Sequence, residues 1–259
     1  MNFQDVQSVL HEYHEPPFRL RQVKRAFYVE LLNGWDELST FSKDLRQALA
    51  DRVAWTSLKL VTTVQSQRGD TLKTLFKTSD GKNIEAVLMR HEGGRNTVCV
   101  SSQIGCAMAC SFCATGTMGF KRNLSAEEIV DQIMHFARGL KAQEAHVTNV
   151  VFMGMGEPMN NYAEVMRAIR ILNDHDGFDL GARHMTLSTC GIVPGILQLA
   201  QESLQVNLAI SLHSAVEDTR TTIMPVNRPY PLTKLMDAVD EYAEVTNRKV
   251  FFEYLMIKG

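Results

Sequence analysis

The sequence has no long apolar run, no leader-like start and almost no net charge. Nothing in its 259 residues approaches the roughly 18 consecutive apolar positions of a membrane span. The N-terminus, MNFQDVQSVLHEYHEPP, lacks the basic-then-apolar pattern of a secretory signal. Lys and Arg number 27 against 29 Asp and Glu, a formal charge of -2. The chain is therefore no polycation, and any nucleic-acid contact rests on a local patch. Cysteine is scarce, five in all and an odd number, whereas a secreted disulfide framework spreads an even set along a smaller chain. These absences predict a cytoplasmic protein with no membrane association. With 45% hydrophobic and 22% charged residues, the chain has enough apolar material for a folded core.

Two rhythms divide what is present. In residues 1–90, apolar spacing predicts helices near Val6–Leu10, over Arg19–Leu32 and over Ser42–Val53. Two strand-like runs follow, LKLVTTVQSQ and TLKTLFKTSDGKNIEAVLM, the second folded at Asp80-Gly81 into a hairpin. This part reads as a small α+β accessory domain with a slight basic excess, suited to RNA contact. In residues 91–259, strands alternate with helices. Strands are predicted at 97–102, 146–154, 185–188, 206–212 and 250–256, and helices at 124–140, 162–172, from about Pro194 and at 232–245. Ser125 with Glu128 forms a capping box for the first of these helices. Such alternation predicts an α/β fold with about five parallel strands.

In parallel α/β folds, chemistry sits at the strand ends. Here Cys106, Cys110 and Cys113 follow the first strand, Gly154-Met155-Gly156-Glu157-Pro158 the second, Ser188-Thr189-Cys190-Gly191 the third, and Ser211-Leu212-His213-Ser214 the fourth. Four successive ends rich in small and polar residues describe one site.

The cysteines read C-x3-C-x2-C. Thiolates suit zinc or iron–sulfur clusters. Structural zinc needs a fourth ligand, and no partner CxxC or HxxxH exists elsewhere in the sequence. Three cysteines on a four-iron cluster leave one iron open to a small molecule, whereas an electron-transfer cluster is usually ligated by four. The motif therefore favours a catalytic cluster.

With Phe112 before the last cysteine, this run resembles the signature of the radical S-adenosylmethionine superfamily. Together with CVSSQIGCAMACSFCATGTMGFKRNLSAEEIVDQ, VFMGMGEPMNN, TLSTCGIVPGI and NLAISLHS…MPVNRPYPL, it resembles the RlmN/Cfr family of RNA methyltransferases, from about residue 16 to the last. The resemblance implies a partial (βα)6 barrel. It implies a 4Fe-4S cluster on Cys106, Cys110 and Cys113 whose open iron chelates S-adenosylmethionine, and a reducing electron donor. An electron from the cluster would then cleave the cofactor to a 5′-deoxyadenosyl radical. Gly156 and Glu157 would hold the cofactor's amino group, while Ser188, Ser211, Leu212 and His213 would serve its carboxylate and ribose. Cys99 would help resolve a covalent RNA–enzyme adduct, with Glu85 as general base; Cys190 is assigned to packing. The implied substrate is an adenine of 23S rRNA and, for the RlmN branch, of certain tRNAs. Gly156-Glu157-Pro158 and the Ser188–Pro194 segment resemble the C2-directed branch. Arg19, Arg21, Lys24, Arg25, Arg95, Lys121 and Arg122 are candidate phosphate contacts.

The family's methyl-carrying cysteine and a further cofactor-binding asparagine lie beyond the last matched position, and no cysteine follows Cys190. The expectation is a piece of a longer enzyme that does not methylate RNA by itself. Two alternatives stand beside it: a chain that binds cluster and cofactor without methylating, and a non-enzymatic RNA-binding or zinc-stabilised remnant.

Overall fold

The computed structural model describes residues 1–256. Three helices open the chain: α1 (Phe3–Glu12), α2 (Phe18–Tyr28) and α3 (Lys43–Arg52). The side chains of Asn2 and Ser42 cap α1 and α3 by accepting from Gln4 and Leu45 N–H. The second helix stops four residues before the predicted Leu32. There Leu31 turns left-handed (φ 53°), and Leu32 N–H bonds back to Ala26. That closure normally uses glycine, so the sequence carried no stop signal.

Strands β1 (Lys59–Gln65), β2 (Thr71–Lys77) and β3 (Asn83–Arg90) follow as an antiparallel meander. Next come β4 (Asn96–Cys99), β5 (Gln103–Ile104), α4 (Ala114–Thr117), β6 (Arg122–Asn123), α5 (Ala126–Lys141), β7 (Asn149–Phe152) and α6 (Tyr162–Asn173). The chain continues through β8 (Met185–Thr189), α7 (Val193–Ala200), β9 (Asn207–Ser211), α8 (Glu217–Ile223), α9 (Leu232–Thr246) and β10 (Val250–Glu253). The predicted capping box forms: Ser125 Oγ accepts from Glu128 N–H, and the Glu128 carboxylate accepts from Ser125 N–H. α8 was not anticipated; it is short and carries little apolar patterning.

Eight strands make one sheet, in the order β1-β2-β3-β4-β7-β8-β9-β10, while β5 and β6 pair separately. From β4 to β10 the pairing is parallel, and β3 joins β4 antiparallel. The five parallel strands expected of a partial barrel are present. Because side chains alternate across a strand, register assigns the two faces. Val98, Val150, Phe152, Leu187, Leu208 and Ile210 form the outer face, in one core with Ile129, Ile133, Val165, Ile169, Ile196 and Leu235 of the helices. Burying each such side chain contributes about 1.5–3 kcal/mol. The inner face carries Cys99, Val151, Ser188, Ser211 and Glu253.

The β1–β3 meander extends that inner face. Val87 lies opposite Cys99, and Lys73 opposite Val87. Glu85, two positions from Val87, therefore shares a face with Cys99. The N-terminal helices dock on α5, where Arg138 Nε donates to Leu32 O and its guanidinium lies 5.0 Å from the Phe27 ring centre. Both tryptophans sit in this region, their rings edge-on at 4.8 Å. Among the described residues, no helix is long and apolar enough to cross a membrane.

Candidate active site

The cysteine loop leaves β4 where the strand abandons its sheet. The expected strand 97–102 ends at Cys99: Val100 still bonds to the backbone of Val151 and Gly154, and from Ser101 the backbone groups find side-chain partners. Ser101 N–H donates to Gln132 Oε1 (2.8 Å), and Gln132 Nε2 returns a bond to Ser101 O (3.0 Å). The loop then folds on itself. A Cβ on Gly105 (φ 73°) would stand 1.8 Å from Gly119 O, so this position admits only glycine. Ser111 N–H ties the loop to Ile223 O (2.9 Å). The Phe112 ring meets His213 edge-on at 4.8 Å, so the aromatic residue of the cysteine motif holds the loop against the end of β9.

Cys106, Cys110 and Cys113 line one cavity with Gly156, Glu157, Ser188, Cys190, Ser211, His213 and Glu253. Its volume of about 160 Å³ is below the roughly 300–1,000 Å³ of typical ligand pockets, so a larger ligand extends over the open inner face. Burial pushes the Cys110 thiol up to about 11, with the neighbouring Cys106 and Cys113 adding to the effect, and burial raises Cys106 as well. Bound iron reverses that cost, because a metal deprotonates the thiol that ligates it. Among the described residues no three His, Cys, Asp or Glu groups surround a single ion. The three thiols lining one cavity are soft donors of the kind an iron–sulfur cluster takes.

Glu157 is 4% exposed. Its Oε1 accepts from Met159 N–H (3.0 Å) and its Oε2 from Cys190 N–H (2.8 Å). Burial raises its pKa, and these hydrogen bonds, with others from the Cys190 and Thr189 side chains, oppose the rise. It makes no ion pair among the described residues. A buried carboxylate held as an acceptor and lacking a cation fits an ammonium group. Gly156 (φ 102°) brings it there, and a Cβ would lie 2.5 Å from Gln103 Cβ. The residue also caps the turn 158–161, so its structural and binding roles coincide. Cys190 does more than pack: its backbone and thiol both donate to Glu157.

The remaining candidates divide. Ser188, Ser211 and His213 face the cavity. His213 is left-handed (φ 56°), donates its N–H to Glu253 O (3.1 Å) and accepts Leu255 N–H at Nδ1 (3.2 Å). Burial lowers its pKa. Leu212 does not line the cavity; its carbonyl accepts from Arg220 Nε (3.2 Å). Cys99 and Glu85 stand outside the cavity on the same inner face, and Glu85 lies 3.3 Å from Lys73 Nζ. Burial, with a smaller push from Glu253, raises the Cys99 thiol to about 11.

Several basic candidates are committed within the fold. Arg122 pairs with both Asp80 (2.8 Å) and Glu128 (2.7 Å), Arg19 with Glu15 (2.9 Å) and Arg25 with Glu30 (3.0 Å). Arg122 in particular joins the hairpin turn to the α5 cap and is not free for phosphate.

Two residues of the site escaped the sequence reading. Glu253 was visible as a lone charge in an apolar strand. Arg220 gave no signal. It is 0% exposed, and donates to Leu212 O, Cys190 O and Asn227 Oδ1, pinning the ends of β8 and β9 beneath the thiols.

Residues 100–259 match the Radical SAM superfamily, the class that the parallel strands and the three-cysteine loop define. A crystal structure of a radical SAM methyltransferase from Sphaerobacter thermophilus superposes with a TM-score of 0.94 at 45% identity, covering 100% of this chain and 76% of that one. Over 259 residues the chain is also 44% identical to the probable dual-specificity RNA methyltransferases RlmN of Staphylococcus haemolyticus (strain JCSC1435) and Staphylococcus aureus (strain JH9), spanning 71% of each. The chain belongs to the RlmN family of radical S-adenosylmethionine RNA methyltransferases.

Proposed function

We propose that the enzyme methylates C2 of adenine in RNA, with 23S rRNA and tRNA as substrates, using a 4Fe-4S cluster on Cys106, Cys110 and Cys113. The observation that carries this reading is the meeting of three thiols and a buried, cation-free Glu157 in one cavity. Bound there, the cluster and S-adenosylmethionine supply one-electron radical chemistry, which a methylation at an electrophilic aromatic carbon requires.

The chain's own residues position and shield. Glu157 takes the cofactor's ammonium, Gly156 lets its backbone approach, and Phe112 with His213 closes the thiol side. RNA meets the inner face where Cys99 and Glu85 stand diagonally to one another. Residues 1–90 form the accessory region, and exposed Lys77 on β2 supplies a phosphate contact there. The Staphylococcus relatives, named as dual-specificity RNA methyltransferases, support an RNA substrate. The Gly156-Glu157-Pro158 turn supports C2.

Anaerobic reconstitution with iron and sulfide, followed by EPR of the reduced protein, tests the centre. A four-iron signal that shifts when S-adenosylmethionine is added is expected; bound zinc, or a signal indifferent to the cofactor, overturns the reading. Nucleoside analysis of 23S rRNA and tRNA from cells with and without the gene tests the product. Loss of 2-methyladenosine is expected, and loss of 8-methyladenosine instead refutes C2.

A further inference from the structure

A second cavity, of about 490 Å³, opens between α5 and the β1–β3 meander. That volume falls within the roughly 300–1,000 Å³ of typical ligand pockets. Leu88, in its wall, lies opposite both Leu72 and Val98 in the sheet. Val98 belongs to the outer face, so this cavity is on the other side of the sheet from the thiols.

Two arginines reach it, Arg90 from the end of β3 and Arg138 from the last turn of α5. Arg52, Arg122, Arg167 and Arg170 all pair with carboxylates. Among the described residues, Arg90 and Arg138 pair with none. The Arg90 side chain makes no hydrogen bond there, and Arg138 makes only the one to Leu32 O (2.9 Å). Arg90 Nε and Arg138 Nη2 are enclosed yet meet no acceptor. An enclosed donor left unpaired is costly, and such donors are rare in folded proteins.

No Asp or Glu lines the cavity. The carboxylates whose charge Arg138 feels are Asp131 and Glu37, and both are engaged elsewhere. Asp131 Oδ2 accepts from Ser57 Oγ (2.6 Å), and Glu37 accepts from Asn33 N–H (2.9 Å) and Nδ2 (3.1 Å). Burial, helped by the Arg138 charge, lowers the pKa of His135, so its ring adds no charge at neutral pH. Two positive charges and no negative one therefore share a single pocket. Such a field favours an anion, and the planar fork of a guanidinium matches phosphate oxygens two at a time.

We propose that Arg90 and Arg138 form a binding site for a phosphate group on the outer face, separate from the radical centre. A free phosphate compound and the phosphodiester of an RNA strand carry the same chemistry. In the RNA case the contact is an anchor remote from the reacting adenine, which positions the strand without reading its sequence.

The test is calorimetric titration of the anaerobically reconstituted protein with inorganic phosphate at constant ionic strength. Saturable binding is expected, weakened about tenfold in Arg90→Gln, the scale of one hydrogen bond between charged groups. Wild type that shows no saturable binding, or a variant of equal affinity, overturns the site. Phenylglyoxal labelling of the wild type, read by peptide mass spectrometry, decides the matter should the variant not fold. Phosphate should slow modification of Arg90 and Arg138 about tenfold and leave exposed Arg68 unaffected; equal rates at all three with and without phosphate refute the proposal. Fluorescence anisotropy with labelled tRNA across a salt series separates the two sources. For an RNA anchor, Arg90→Gln should reduce the slope of log affinity against log salt by about 0.7–0.9. An unchanged slope beside lost phosphate binding assigns the site to a free phosphate compound. Neither result depends on the cluster, so failure of the radical-centre reading is seen separately, by EPR.

Discussion

The parallel run of the sheet begins at β4 and ends at β10, two strands of four residues that each deliver part of the site. Their surroundings differ. β4 is paired on both sides, by β3 and β7, and its Val98 is wholly buried. β10 is paired with β9, and Phe251 and Phe252 remain 55% and 46% exposed. At the β4 end, glycines without room for a Cβ and a doubly bonded Gln132 fix the cysteine loop. At the β10 end, Glu253 accepts hydrogen bonds from the Ser188 and Ser211 hydroxyls and from Leu212 and His213 N–H, which set the serines and the turn after β9. The rigid end suits a cluster, whose sulfurs must hold fixed separations.

The largest expected effect lies at the rigid end. Cys110→Ala should abolish cluster assembly, read as loss of iron and acid-labile sulfide; retention of a full cluster would show that another ligand substitutes. Arg220→Met leaves two buried acceptors, Cys190 O and Asn227 Oδ1, unpaired and should cost about 3 kcal/mol, measured as a lower urea midpoint. An unchanged midpoint would mean that the β8 and β9 ends hold without it. A matched pair tests the contrast directly. Val98→Thr buries a hydroxyl and should cost ~2 kcal/mol, whereas Phe252→Thr should stay within ~0.5 kcal/mol. Equal costs would erase the distinction between the two strands.

The smallest effect crosses the barrel. With its thiol near 11, Cys99 is protonated at neutral pH, so its alkylation should accelerate about tenfold per pH unit between roughly pH 7.5 and 9.5. Glu253→Gln removes a negative charge that raises this thiol. Its pKa should fall, more thiolate should form, and alkylation at fixed pH should quicken about twofold. Peptide-resolved mass spectrometry measures both, and an unaltered rate would place Glu253 electrostatically out of reach of Cys99.

Much of this architecture was legible because its signals are local. The Asp80-Gly81 turn, with Gly81 at φ 77°, and the Ser125–Glu128 box announce themselves within a few residues. So does the change of period that separates strands from helices. The thiol spacing was equally plain. What stayed hidden depends on partners far along the chain. The end of β4 is set by Gln132, 31 residues beyond Ser101, and the role of Glu253 by Ser188, 65 residues before it. Arg122 was misread for the same reason: its partner Asp80 stands 42 residues away, and a free cation and a bridging one look alike in sequence.

The docking of the N-terminal helices on α5 carries a consequence for the order of assembly. Ser57 reaches Asp131 across 74 residues, Arg138 reaches Leu32 across 106, and Lys141 reaches Glu30 across 111. Closing loops of that length costs entropy before any bond repays it. Helices α1 to α3 therefore cannot complete these contacts until α5 is in place.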